Sequence, residues 1–122
     1  MSERLFTVDD ANGELAELRE RLPRLREARA GLISSSERIT AAVASDGGGV
    51  AGSDWFRHQE ILKEEVEYLA DRGILLRDPD TGLVDFPAER DGARVFLCWR
   101  LGEADVGFYH GEHGGFRGRK PL

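Results

Sequence analysis

Apolar residues between Thr7 and Ala44 recur at alternating three- and four-residue steps: Leu15, Leu18, Leu22, Leu25, Leu32, Ile39 and Val43. Arg29 and Ser36 stand where the series breaks. Such a spacing predicts one long helix over 7–44, packed along a narrow seam against another helix. Thr7 with Asp10 three residues on predicts its N-terminal cap, and Asp9 and Asp10 suit the positive helix start. Pro23 predicts a kink or restart, because proline lacks the donor and clashes with the preceding turn. Glycine and serine then dominate, and 45–53 reads as a linker. Ser53 is the expected cap of a second helix over 54–72, with Trp55, Leu62, Val66 and Leu69 as its buried stripe. The acidic run Glu64, Glu65 and Glu67 reads as its solvated side. Gly73 is expected in the left-handed position that ends it, with Ile74 returning to Leu69.

The period changes to two after Gly73, and 74–110 reads as a β-meander. Pro79-Asp80-Thr81-Gly82 predicts a four-residue hairpin loop with Gly82 at positive φ. Asp91-Gly92 predicts a two-residue type I′ turn, which pairs Arg90 with Ala93, Phe86 with Leu97 and Val84 with Trp99. That register puts Val84, Phe86, Val95, Leu97 and Trp99 on one face, where a core needs them. A further turn near Gly102-Glu103 is expected to bring Val106, Phe108 and His110 to the same face, and Leu75 to join from the first strand. The opposite face would carry Ile74, Leu76, Leu83, Asp85, Phe96, Cys98, Arg100 and Tyr109. The expected fold is α+β in a single domain spanning 1–122. A long antiparallel helical hairpin packs on a four-stranded antiparallel meander, and 111–122 forms a Gly/Arg tail.

Composition narrows the classes. The 122 residues carry a net charge of −6, which argues against general nucleic-acid binding. The basic residues are almost all arginine, 15 against 2 lysines. A single cysteine excludes an intrachain disulfide and a cysteine-rich metal cage. No apolar run reaches the roughly 18 residues that span a bilayer, and MSERLFTVDD has no signal-peptide core. The cytoplasm is the expected compartment.

Several segments together resemble a known family. They are Leu5-Phe6-Thr7, Gly82-Leu83-Val84-Asp85-Phe86-Pro87, the Asp91-Gly92 turn and Leu97-Cys98-Trp99. Gly102-Glu103, His110 after an aromatic residue, and Gly115-Phe116-Arg117-Gly118-Arg119 complete the set. The chain resembles the DUF2203 family of small bacterial proteins over essentially its whole length. The resemblance implies no activity. In the family a glutamate usually follows the histidine directly, whereas here Gly111 follows His110, and Glu112 and His113 come later.

Three sets of residues are candidates for function. His110, Glu112 and His113, joined by His58 from the covering helix, form the expected metal set, suited to a divalent ion such as zinc or iron. Glu103 is expected to lie about 23 Å from His110 if an extended strand separates them. Arg117, Arg119 and Lys120 among glycines form an expected anion-binding tail. Leu83, Asp85, Phe96, Cys98, Arg100 and Tyr109 form a face too apolar for solvent, and such faces mark interfaces. Cys98 reads as a small buried hydrophobe rather than a nucleophile, with Asp85 and Arg100 as an ion pair. The leading expectation is a non-catalytic interaction module, a homodimer or a binder of a protein partner. The alternatives are a metal-binding protein or metal-dependent hydrolase centred on His110–His113, and an anionic-metabolite binder using the tail.

Overall fold

The computed structural model describes residues 3–43 and 49–122. Two helices, α1 (Val8–Val43) and α2 (Gly49–Arg72), precede strands β1 (Leu75–Asp78), β2 (Leu83–Arg90), β3 (Ala93–Arg100), β4 (Phe108–His110) and β5 (Lys120–Pro121). A short 3-10 helix spans Phe116–Gly118. The strands form one antiparallel sheet in the order β1-β2-β3-β4-β5, and the class is α+β. Among the described residues no helix is long and apolar enough to cross a membrane.

Local chemistry places most boundaries. At the start of α1 the Asp10 N–H donates to Thr7 Oγ1 and the Thr7 N–H to Asp10 Oδ2, each at 3.0 Å, a reciprocal cap with aspartate in place of glutamate. The helix runs on through Pro23. α2 ends as expected: Gly73 has φ of 76°, and the Ile74 N–H reaches back to the Leu69 carbonyl at 3.0 Å. Its start differs. α2 begins at Gly49, so 49–53 of the expected linker is helical and Ser53 lies inside the helix rather than at its start. Asp54 instead pairs with Arg38 of α1 at 3.0 Å and with Arg57 at 3.3 Å. The end of the expected first helix at 44, the linker positions 45–48 and the Val43 side chain lie outside the described residues.

The helix seam is built differently from its sequence pattern. Leu15, Leu18, Leu22 and Leu25 are buried in the core with the sheet residues Val84, Phe86, Val95, Leu97 and Trp99. Beyond Leu25 the buried positions are Ala28 and Ser35. Small side chains there let α2 approach: Trp55 Nε1 donates to Ser36 Oγ at 3.0 Å, and the His58 ring lies over Gly31. On α2, Val66 is 45% exposed while Glu65 is buried. Glu65 accepts both oxygens' bonds from Arg21 at 3.2 Å and is also paired with Arg24. Glu65 is therefore not on the solvated side, because two arginines of α1 neutralise it inside the seam.

The β2–β3 register is the one the Asp91-Gly92 turn dictates, with φ of 54° and 80° at its two central residues. The two flanking strands each slip by one residue. After the Asp78–Leu83 pairing, Arg77 is an extra residue, so Leu76 rather than Leu75 faces the core opposite Val84. On the other side the stretch 101–107 is not a strand, and β4 starts only at Phe108. Tyr109 pairs with Leu97, and His110 pairs with Phe96. His110 thus points away from the helices, to the face of Asp85 and Cys98, and Tyr109 turns to the core side. The tail is also structured. Lys120 pairs with Tyr109, and the Leu122 N–H donates to the Gly107 carbonyl at 2.9 Å, making a fifth strand.

Candidate metal centre on the sheet face away from the helices

Three adjacent strands contribute one donor each to this face. Asp85 of β2 lies directly across from Cys98 of β3. His110 of β4 reaches diagonally over β3, and its Nε2 lies 2.9 Å from Asp85 Oδ2. A carboxylate oxygen of Asp85, the Cys98 Sγ and a ring nitrogen of His110 all fall within 4.8 Å of one another. All three side chains are buried, with residue exposures of 1%, 1% and 3%.

The hydrogen bonds fix how the imidazole is presented. His110 Nδ1 lies 2.7 Å from the Gly111 carbonyl oxygen. A carbonyl only accepts, so Nδ1 carries a proton and Nε2 is the nitrogen left to bind. Nε2 faces Oδ2 of Asp85, which also accepts from Arg77 Nε at 2.8 Å. A lone pair and a carboxylate oxygen repel at that distance, so one proton must lie between them. Asp85 Oδ1 is buried and has no partner among the described residues. Buried carboxylate oxygens are costly to leave unpaired. Burial, then the neighbouring Asp85 carboxylate, pushes the Cys98 thiol up to about 12. Cys98 is therefore protonated when nothing but protein surrounds it, and it has no thiolate to attack a substrate.

The rest of the face is covered by the chain itself. Arg77 and Arg94 lie over the Phe96 ring at 5.1 and 4.6 Å, and the His110 ring stacks beside it at 5.4 Å. Arg119 is held by both carboxylate oxygens of Glu103 at 2.8 and 2.7 Å and lies over Phe108 and Phe116 at 4.0 and 4.7 Å. Arginine planes and the returning tail cover much of this apolar surface, and Asp85, Phe96 and Cys98 are buried within the chain. Tyr109 lies on the core side of the sheet, and its ring carries the Arg90 guanidinium at 4.3 Å. Leu83 is half-buried at the cleft edge and Arg100 is exposed beside Phe116.

A cleft of about 300 Å³ is lined by two of the three donors, Asp85 and His110, together with Arg77, Leu83, Glu112, His113, Gly115 and Phe116, while Cys98 lies beneath, outside its lining. The structure thus brings together His110, Glu112 and His113 but leaves out His58, which stays between the helices over Gly31. Glu112 is exposed and pairs with Arg94 at 2.8 Å. Of the expected anion-binding set, Arg119 is already neutralised by Glu103, while Arg117 and Lys120 are exposed. Glu103 accepts from the Arg100 N–H at 2.7 Å at the end of β3 and from Arg119 at 2.8 Å, and its charge adds a small upward push on the Cys98 thiol.

Asp85 and Cys98 fall on one face in the sequence as in the structure. His110, expected on the opposite face, joins them, and Arg77 carries no sequence signal of its part. Gly107 immediately before Phe108 was the cue that the alternation restarts there.

The donor set suits a transition metal. Oxygen, sulfur and nitrogen ligands around zinc would stand roughly 3.5 Å apart in a tetrahedral site. The three donor atoms already lie within 4.8 Å of one another, close to that spacing. A zinc ion held by three protein ligands would keep a fourth position open for water or a ligand. The Nδ1 bond to a backbone carbonyl is the outer support that orients a ligating histidine.

No curated protein and no solved structure matches the chain. A family model described as an uncharacterized conserved protein matches residues 4–122, and the chain belongs to that family, DUF2203.

Proposed function

We propose that the protein binds a divalent transition metal, zinc or ferrous iron, through Asp85, Cys98 and His110, with an open coordination position toward the cleft. The observation that carries this reading is the meeting of three buried donors, one from each of three neighbouring strands, with the second carboxylate oxygen of Asp85 left without a partner among the described residues. A cation would take the place of the proton between His110 and Asp85 and that of the Cys98 thiol. An open position makes a bound water available as a nucleophile, which is how such a centre would support hydrolysis. His113 and Glu112 sit at the rim of the same cleft rather than among the primary ligands.

Protein purified without a histidine tag should bind one zinc ion per chain. At free metal a hundredfold above Kd, binding should stabilise the fold by about 2.7 kcal/mol. For a domain of this size that is roughly a 10 °C rise in Tm. Cys98→Ala and His110→Ala should each remove the rise while keeping a cooperative transition. A rise of the same size in both variants would place the metal elsewhere and sink the proposal.

A further inference from the structure

We propose that the cleft receives a small carboxylate with an apolar body, its oxygens shared between the metal's open position and the Arg77 guanidinium. This rests on the metal reading above and names the class of ligand for the same site. Arg77 donates its Nε to Asp85, and among the described residues neither of its terminal nitrogens has a hydrogen-bond partner. Its side chain is 44% exposed and lines the cleft. A guanidinium fixed at Nε offers its remaining donors in a fork, the geometry that matches a carboxylate.

Charge selects a monoanion. A divalent ion is balanced by Asp85 and a Cys98 thiolate, while the imidazole is neutral. Arg77 then adds one positive charge. Two other guanidinium groups on this face are already paired. Arg94 is matched by Glu3 at 2.5 Å and Glu112 at 2.8 Å, and Arg119 by Glu103 at 2.7 Å. A dianion would carry a second charge toward Glu112 at the rim. Leu83 and the half-exposed Phe116 form an apolar wall beside the polar floor, and the volume of about 300 Å³ is at the small end of ligand sites.

The test uses the full untagged chain loaded with cobalt(II) and titrated with benzoate, benzamide and inorganic phosphate. A thiolate-to-cobalt charge-transfer band reports ligation by Cys98, and the ligand-field bands report the open position. Benzoate should shift the ligand-field bands saturably while the charge-transfer band persists, and benzamide should not. Arg77→Gln should weaken benzoate by about tenfold or more, with the charge-transfer band retained. Arg77→Lys, which keeps a charge beside Asp85 but loses the fork, should also weaken it and serves if the glutamine variant holds no cobalt. A charge-transfer band with no response to benzoate, an equal response to benzamide, or a response to phosphate alone overturns the carboxylate assignment and leaves the metal site standing. Unchanged benzoate affinity in both Arg77 variants overturns the clamp. Absence of the charge-transfer band in the unmutated protein overturns both proposals.

Discussion

Removing the two arginines that hold Glu65 should damage the protein far more than removing Glu65 itself. The carboxylate is 1% exposed, whereas the Arg21 and Arg24 side chains are 30% and 46% exposed. When Glu65→Met deletes the acid, both guanidinium groups can turn to water, Arg21 keeping its partner Glu17 at 2.9 Å and Arg24 its partner Glu64 at 3.5 Å. A methionine fills the vacated seam, so the change should be neutral or stabilising by about 1–4 kcal/mol. The double variant Arg21→Met/Arg24→Met strands a carboxylate between two helices, and its expected cost is about 3–5 kcal/mol. At roughly 4 °C per kcal/mol for this size, Tm should fall by about 12–20 °C. Urea denaturation of the single, double and triple variants at pH 7 measures all of this, and the triple variant should regain most of what the double lost. The reasoning is refuted if Glu65→Met costs more than the arginine pair, or if the double variant unfolds like the unmodified protein.

Two further outcomes follow from local geometry. A Cβ at Gly114 would lie 3.3 Å from the Cβ of His110 and 3.6 Å from the Gly111 nitrogen. Gly114→Ala should therefore shift the imidazole and lower zinc affinity by about tenfold to a hundredfold, as loss of outer support does, and isothermal titration showing unchanged affinity would contradict it. The Thr7 backbone N–H, and then its hydroxyl, hold the Asp10 carboxyl below its ordinary value of 3.8. The stabilisation from Asp10 is present above that value and lost as pH falls through the lowered one. Asp10→Asn should be less stable than the unmodified protein at pH 7, with the gap closing in acid; a gap constant from pH 7 to pH 2 would show that the charge is irrelevant.

The parts of the fold legible in the sequence are those decided within a few residues. Thr7 with Asp10, Gly73 with Ile74, Gly82, and Asp91-Gly92 each fix a boundary by a positive φ or one hydrogen bond, and all four appear as the sequence implies. Long-range compensation was not legible. Periodicity assigns Glu65 to water, since nothing near it in sequence announces Arg21 and Arg24. The candidate site suffered most, because it depends on the phase of two strands relative to β2–β3. One extra residue at Arg77 and an irregular stretch before Phe108 each invert a face. That inversion separated His110 from Asp85 and Cys98 on paper and joined it instead to the core.

The three-residue strand β4 carries a consequence for how the molecule assembles. Its aromatic and histidine side chains can satisfy either phase passably: shifted by one position, Tyr109 would lie over Asp85 and His110 would enter the core. So short a ladder discriminates weakly between the two pairings during folding. An ion gripped at once by β2, β3 and β4 exists in only one of them. Metal present while the chain folds would thus act as a clasp that rejects the slipped strand. Refolding in a chelator should then yield a slow-correcting population that refolding with zinc does not.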